Sequence, residues 1–139
     1  MELHKITLPT AYMLETLRSK GISNEEILTQ VVKKDVSSWE SLSSHFDFSE
    51  LIAQYEQDPL AFESIVHFGY QVKFVTIRGI ENLLKLTFDK VQDRDFVPTE
   101  KGITGLHLSE DQLYTLKQML STNWIVQKME NGSIQIELP

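Results

Sequence analysis

Cysteine is absent from the 139 residues. With it go disulfides, thiolate zinc sites, iron–sulfur clusters and thiol catalysis. Arginine is almost absent too, at Arg18, Arg78 and Arg94 only, which leaves few planar forks to grip phosphate or guanine. Positive charge is scarce overall. The formal net charge is −7. Residues 1–69 hold five basic side chains against eleven acidic ones, while residues 70–139 hold eight against nine. A phosphate-binding surface needs clustered cations to displace condensed counterions, so nucleic acid is disfavoured as a partner.

Apolar runs are short, as at Ile125-Val126, and none could carry a helix through a bilayer. Residues 1–12 lack the basic start and apolar block of a secretory leader. The phosphate-cradling patterns G-x-G-x-x-G and G-x-x-x-x-G-K-[ST] are missing as well. These absences predict a soluble cytoplasmic protein with no membrane contact.

What remains is globular in composition, with 41% apolar and 24% charged residues. A chain of this length buries about 68–70% of its extended-state surface, so one core suffices without staples. The expectation is a single domain over residues 1–139.

Residues 1–69 read as a helical part, punctuated by helix-start signals. Thr10 is placed to cap a helix bearing Met13, Leu14 and Leu17, stopped by Gly21. Ser23 and Glu26 have capping-box spacing, and Ile22 and Ile27 the spacing of a hydrophobic staple. Ser37 with Glu40, and Asp47 with Glu50, repeat the box. Asp58-Pro59 sets a capping aspartate before a proline at the first helical position, and Phe62, Ile65 and Val66 face inward until Gly69. Five short helices are expected here.

Residues 70–139 read as mixed. Gln71 to Thr76 alternates like a strand, while Ile77, Ile80, Leu83, Leu84 and Phe88 recur at helical spacing from near Thr76. Residues 89–107 show no sustained period and read as a long loop, with room for a short strand around Leu106. Ser109 and Gln112 open a further boxed helix. Trp124–Met129 and Ile134–Leu138 flank Asn131-Gly132, which predicts a hairpin closed by a two-residue type I′ turn. The predicted fold class is α+β: a mainly helical single domain with a C-terminal β-hairpin, extendable to a small three-stranded antiparallel sheet.

Each motif with chemical potential has a plainer explanation. Asp89, Asp93, Asp95 and Glu100 fall at positions one, five, seven and twelve of a calcium-loop pattern. Val91 occupies the third ligand position, however, and Arg94 replaces the glycine of the sharp turn. Gly102-Ile103-Thr104-Gly105 has the form of the loop that clamps a nucleic-acid backbone in KH domains, but no helix pair flanks it directly. The histidines, His4, His45, His67 and His107, never lie three or four residues apart. His45 stands between Ser43-Ser44 and Asp47 without a nucleophile elbow. No catalytic residue, cofactor or metal is therefore expected.

Two functions stay open. The first is a small non-enzymatic cytosolic regulatory or adaptor protein acting through contact with a protein partner, with Trp39, Phe48 and Tyr55 as candidate contacts. The alternative is a DNA-binding regulator. The helix after Ser109 followed by the hairpin resembles the order of a winged helix, and Thr10–Lys34 is loosely similar to a helix-turn-helix pair. Its candidate surface is the basic strip Lys73, Arg78, Lys85 and Lys90.

Overall fold

A computed structural model describes residues 3–42 and 46–138. The chain opens with a two-residue strand β1 (Lys5–Ile6) and five helices: α1 (Leu8–Ser19), α2 (Asn24–Val32), α3 (Ser37–Glu40), α4 (Ser49–Gln57) and α5 (Pro59–Phe68). Strand β2 (Gln71–Val72) and helix α6 (Ile77–Phe88) follow. Strands β3 (Val97–Pro98) and β4 (Gly102–Leu106), helix α7 (Glu110–Met119), and strands β5 (Ile125–Lys128) and β6 (Ile134–Glu137) complete the chain. The fold is α+β and predominantly helical. Buried side chains from Ile6 to Ile136 form one continuous core.

The helix starts follow local hydrogen-bond chemistry, though not always at the residue the spacing suggests. Pro9 belongs in a first turn, because its missing N–H would be orphaned there anyway. Helix α1 therefore begins one turn earlier than expected, and Thr7 rather than Thr10 is its cap. Thr10 is instead buried, bonded to Thr7 Oγ1 at 3.0 Å and accepting from Gln54 Nε2 at 2.8 Å. At its far end the N–H of Ile22 donates to Leu17 O and that of Gly21 to Arg18 O, the paired bonds of a Schellman stop.

Ser23 Oγ accepts from the Glu26 N–H at 3.2 Å as expected. Ser23→Ala should lower stability by about 1 kcal/mol, read as a shifted urea midpoint at unchanged slope. The Ser37 and Asp47 boxes do not form. Asp35 accepts from the N–H of Ser37, and Asp47 from that of Ser49, so each helix is entered through an aspartate two residues ahead. Asp58 and Ser109 cap as expected, the latter with both halves of the box.

Strand character after Tyr70 lasts only two residues. Gln71 and Val72 pair in parallel with Lys5 and Ile6. Thr76 then caps α6 by accepting from the Gly79 N–H at 3.0 Å.

The segment read as a loop, 89–107, contains β3 and all of β4. The C-terminal sheet accordingly has four antiparallel strands in the order β3-β4-β6-β5, one more than anticipated. A register shift between Ile103 and Leu106 hid β4. The bulge puts its inward residues three apart instead of two, which erases the alternation by which a strand is recognised.

The hairpin turn also differs by one residue. Gly132 N–H donates to Met129 O at 2.9 Å, and Met129 N–H donates to Ser133 O at 2.7 Å. Gly132 alone takes a positive φ, +87°. This is a three-residue loop with a glycine bulge. Asn131 bends the turn with its side chain, accepting from the Ser133 N–H at 2.9 Å.

Candidate interaction site

The aromatic contacts expected from sequence sort by burial. Trp39 and Phe48 lie in the core, edge to face at 6.0 Å, and offer no surface to a partner. Tyr55 is half-buried and packs edge-on against Phe62 at 6.1 Å.

Other aromatics stand outside. Phe68 is 60%, Tyr114 67% and Phe74 81% exposed, costly placements for rings that bury so much area when covered. They fringe one seam. The segment 69–75 is pinned beside α7 and the residues after it at three points. A Cβ on Gly69 would lie 3.5 Å from Gln118 Oε1. Gln71 Nε2 donates to Leu120 O at 3.3 Å, and the Trp124 indole N–H donates to Val75 O at 3.0 Å. Phe68 directly precedes that segment and Phe74 lies near its end. Tyr114 stands one turn before Gln118, on the same side of α7.

Sequence signals for these three were faint but real. Phe68 falls off the inward stripe Phe62, Ile65 and Val66. Phe74 would face the core beside Val72 only if the strand continued. Tyr114 interrupts the stripe Leu113, Leu116 and Leu120.

The lysines of the basic strip border different hollows. Lys73 borders a cleft of about 520 Å³ with His4, Lys5, Gln54 and Asp58. Lys85 borders a separate groove of about 590 Å³ between α1 and α6, beside Tyr12, Lys20 and Asp89. Lys90 lines a third hollow with Arg94 and His107. Arg78 lies in the first turn of α6 and borders none of these three.

The acidic loop is closed on itself. Arg94 bonds the Asp89 carbonyl and pairs with the Asp95 carboxylate at 2.8 Å. The Val91 N–H and then Arg94 hold the Asp95 carboxyl below the usual carboxylate range. Among the described residues no three His, Asp or Glu side chains gather as a metal site. The Gly102–Gly105 stretch is strand, not a clamp between helices. His4, His67 and His107 are each exposed, whereas Ser43, Ser44 and His45 lie outside the described residues.

One charged cluster is internal. Glu15, 4% exposed, accepts from Tyr70 OH at 2.6 Å and from Arg18 at 2.8 Å. Arg18 also donates to Val66 O and to Asn24 Oδ1. Burial, then the Glu15 charge, push the Tyr70 hydroxyl well above its ordinary pKa. The cluster ties α1 to α2, α5 and Tyr70 just before β2, which is structural work.

Among the described residues no helix is long and apolar enough to cross a membrane. Compared with protein-family models, curated proteins and solved structures, the chain matches none.

Proposed function

We propose that this is a small non-enzymatic regulatory or adaptor protein of the cytoplasm, which works by docking a protein partner on the seam between segment 69–75 and α7. The exposure of Phe68, Phe74 and Tyr114 carries this reading. Binding energy at protein interfaces concentrates in a few aromatic and arginine anchors, and rings held in water are placed to supply it. The anchors therefore move from Trp39 and Phe48, which serve the core, to these three.

The DNA-binding alternative ranks below, because Lys73, Lys85 and Lys90 border three different hollows and Arg78 borders none of them. The helices that would read bases open on Asn24-Glu25-Glu26 and Glu110-Asp111, a poor match to phosphate.

The test is a triple variant, Phe68→Ser/Phe74→Ser/Tyr114→Ser. Each change lies on the surface and should alter stability by no more than about 0.5 kcal/mol. Chemical crosslinking in the native cell should recover a protein bound to the parent chain and lose it, about tenfold or more, with the variant. Equal recovery would overturn the reading. In parallel, fluorescence anisotropy against mixed duplexes at about 150 mM salt should show no submicromolar binding. Tight binding abolished by Arg78→Glu/Lys85→Glu would promote the DNA alternative.

A further inference from the structure

The C-terminal sheet has two edges, and they are built differently. β3 is two residues long and ends in Pro98, which has no N–H to give a neighbouring strand. β5 is four residues long and contains no proline.

Its outward backbone groups follow from the hairpin register. Met129 N–H donates to Ser133 O, and the pairs then run Lys128 with Ile134, Gln127 with Gln135, Val126 with Ile136 and Ile125 with Glu137. Hydrogen-bonded and non-bonded pairs alternate along an antiparallel ladder. Gln127 and Ile125 are therefore bonded to β6, while the N–H and C=O of Val126 and Lys128 turn away from it. Among the described residues no donor or acceptor meets those outward groups. Lys128, the kind of charge that would guard such an edge, is already engaged with Glu110 at 3.1 Å.

We propose that β5 pairs antiparallel with β5 of a second copy of this chain, about a twofold axis at Gln127, joining two four-stranded sheets into one. The sequence of the edge is complementary to itself in that register. Val126 falls opposite Lys128 of the second copy, so the outward groups of each satisfy those of the other. Ile125 falls opposite Met129 of the second copy on the open face of the sheet, and each is about two-fifths exposed in the single chain, at 42% and 40%.

Charge selects the register as well. Each Lys128 meets a valine and brings its own carboxylate, whereas an axis at Lys128 would set two ammonium groups side by side, which is destabilising. A contact made by one short edge belongs to the small, transient class below about 1,200 Å². Pairing should accordingly be concentration-dependent, with a Kd of about 10–100 μM. This inference is independent of the seam at α7.

Sedimentation equilibrium of the full chain from about 5 to 500 μM spans that range, and should show a reversible monomer–dimer equilibrium. Val126→Pro removes an N–H that β6 does not use, and should leave a folded monomer at every concentration. Gln127→Cys places a lone thiol in a cysteine-free chain. In the proposed dimer the two residues at the axis form a non-bonded pair with Cα atoms about 4.5 Å apart, within disulfide reach. It should oxidise to a covalent dimer about tenfold faster than Glu25→Cys, an exposed thiol on α2, because pairing raises its effective concentration. If Val126→Pro fails to fold, the two cysteine variants decide alone. Monomer throughout with equal oxidation rates, or a dimer that persists in folded Val126→Pro, overturns the proposal. So does pairing of this edge with some other protein while the chain alone stays monomeric.

Discussion

Gly102→Ala should be among the most damaging single substitutions in the protein, costing on the order of 3–5 kcal/mol or preventing folding. A Cβ at Gly102 would lie 1.8 Å from Ile136 O, 2.8 Å from Ile136 C and 3.0 Å from Glu137 Cα. All three are backbone atoms of β6, so no side chain can swing aside to make room. Relief requires β4 to leave β6, and that ladder holds the two central strands of the sheet together. Gly105→Ala separates this cause from conformational strain. Gly105 has a φ of +79° with nothing within 4 Å of its would-be Cβ, so its cost should stop at about 1–2 kcal/mol. Urea unfolding of both variants checks the order; a smaller loss for Gly102→Ala would mean that the sheet yields there.

The same pair of glycines shows why the sheet was half-legible. Both lie in the stretch 89–107 that reads as loop, because sequence displays a glycine's freedom and not the strand that crowds it. Helices announced themselves better, through capping residues whose chemistry is local. Ser23, Asp58 and Ser109 each cap where expected, since a side-chain oxygen and an amide three residues on need nothing from the rest of the fold. The failures were also local competitions. Asp35 and Asp47 each accept from the amide two residues on, Ser37 or Ser49, instead of a box forming at Ser37–Glu40 or Asp47–Glu50. The parallel pairing of β1 with β2 joins residues 66 apart in sequence, and two residues are too few to show a period. Gly79 is a poor helix former within α6. Its missing side chain makes room for Leu8, whose Cδ2 would lie 2.9 Å from a Cβ there, where α1 and α6 pack.

The candidate site was less legible than the fold, and for a different reason. Composition separates aromatic from polar residues, but it does not separate a ring that fills the core from one that faces water. Trp39 and Phe48 look like anchors by type and are core by position. Phe74 becomes distinctive only once Thr76 has stolen the chain from the strand to begin a helix. The basic strip was read from spacing alone. Arg78 and Lys85 do share a helix, seven residues apart, but Lys73, Lys85 and Lys90 each border a different hollow.

Glu15→Ala should be the other large loss, at about 3 kcal/mol, the lower end of what removing one partner from a buried charge cluster costs. The lower end applies because Arg18 keeps its bonds to Val66 O and Asn24 Oδ1 and its side chain is 27% exposed. Tyr70, 2% exposed, has no such reserve and would be left with a buried hydroxyl facing a void. The cluster also has a pH signature. Burial first, and the Glu15 charge and hydrogen bond after it, raise the folded-state pKa of Tyr70 above its ordinary value. The folded protein therefore holds this proton over a range where the unfolded chain has released it. The stabilisation is complete below pH about 10, the unfolded value, and is lost as pH rises from there toward the folded one, at up to about 1.4 kcal/mol per pH unit. Lysines titrate in the same window, so the informative quantity is the difference between the parent chain and Tyr70→Phe. The variant should be weaker by about 1–2 kcal/mol at neutral pH, having lost a hydrogen bond to a carboxylate. Its stability should then fall less steeply above pH about 10, so that the two curves converge. Parallel curves would mean that Tyr70 ionises in the folded protein as readily as in water, and that the hydroxyl is not sealed against Glu15.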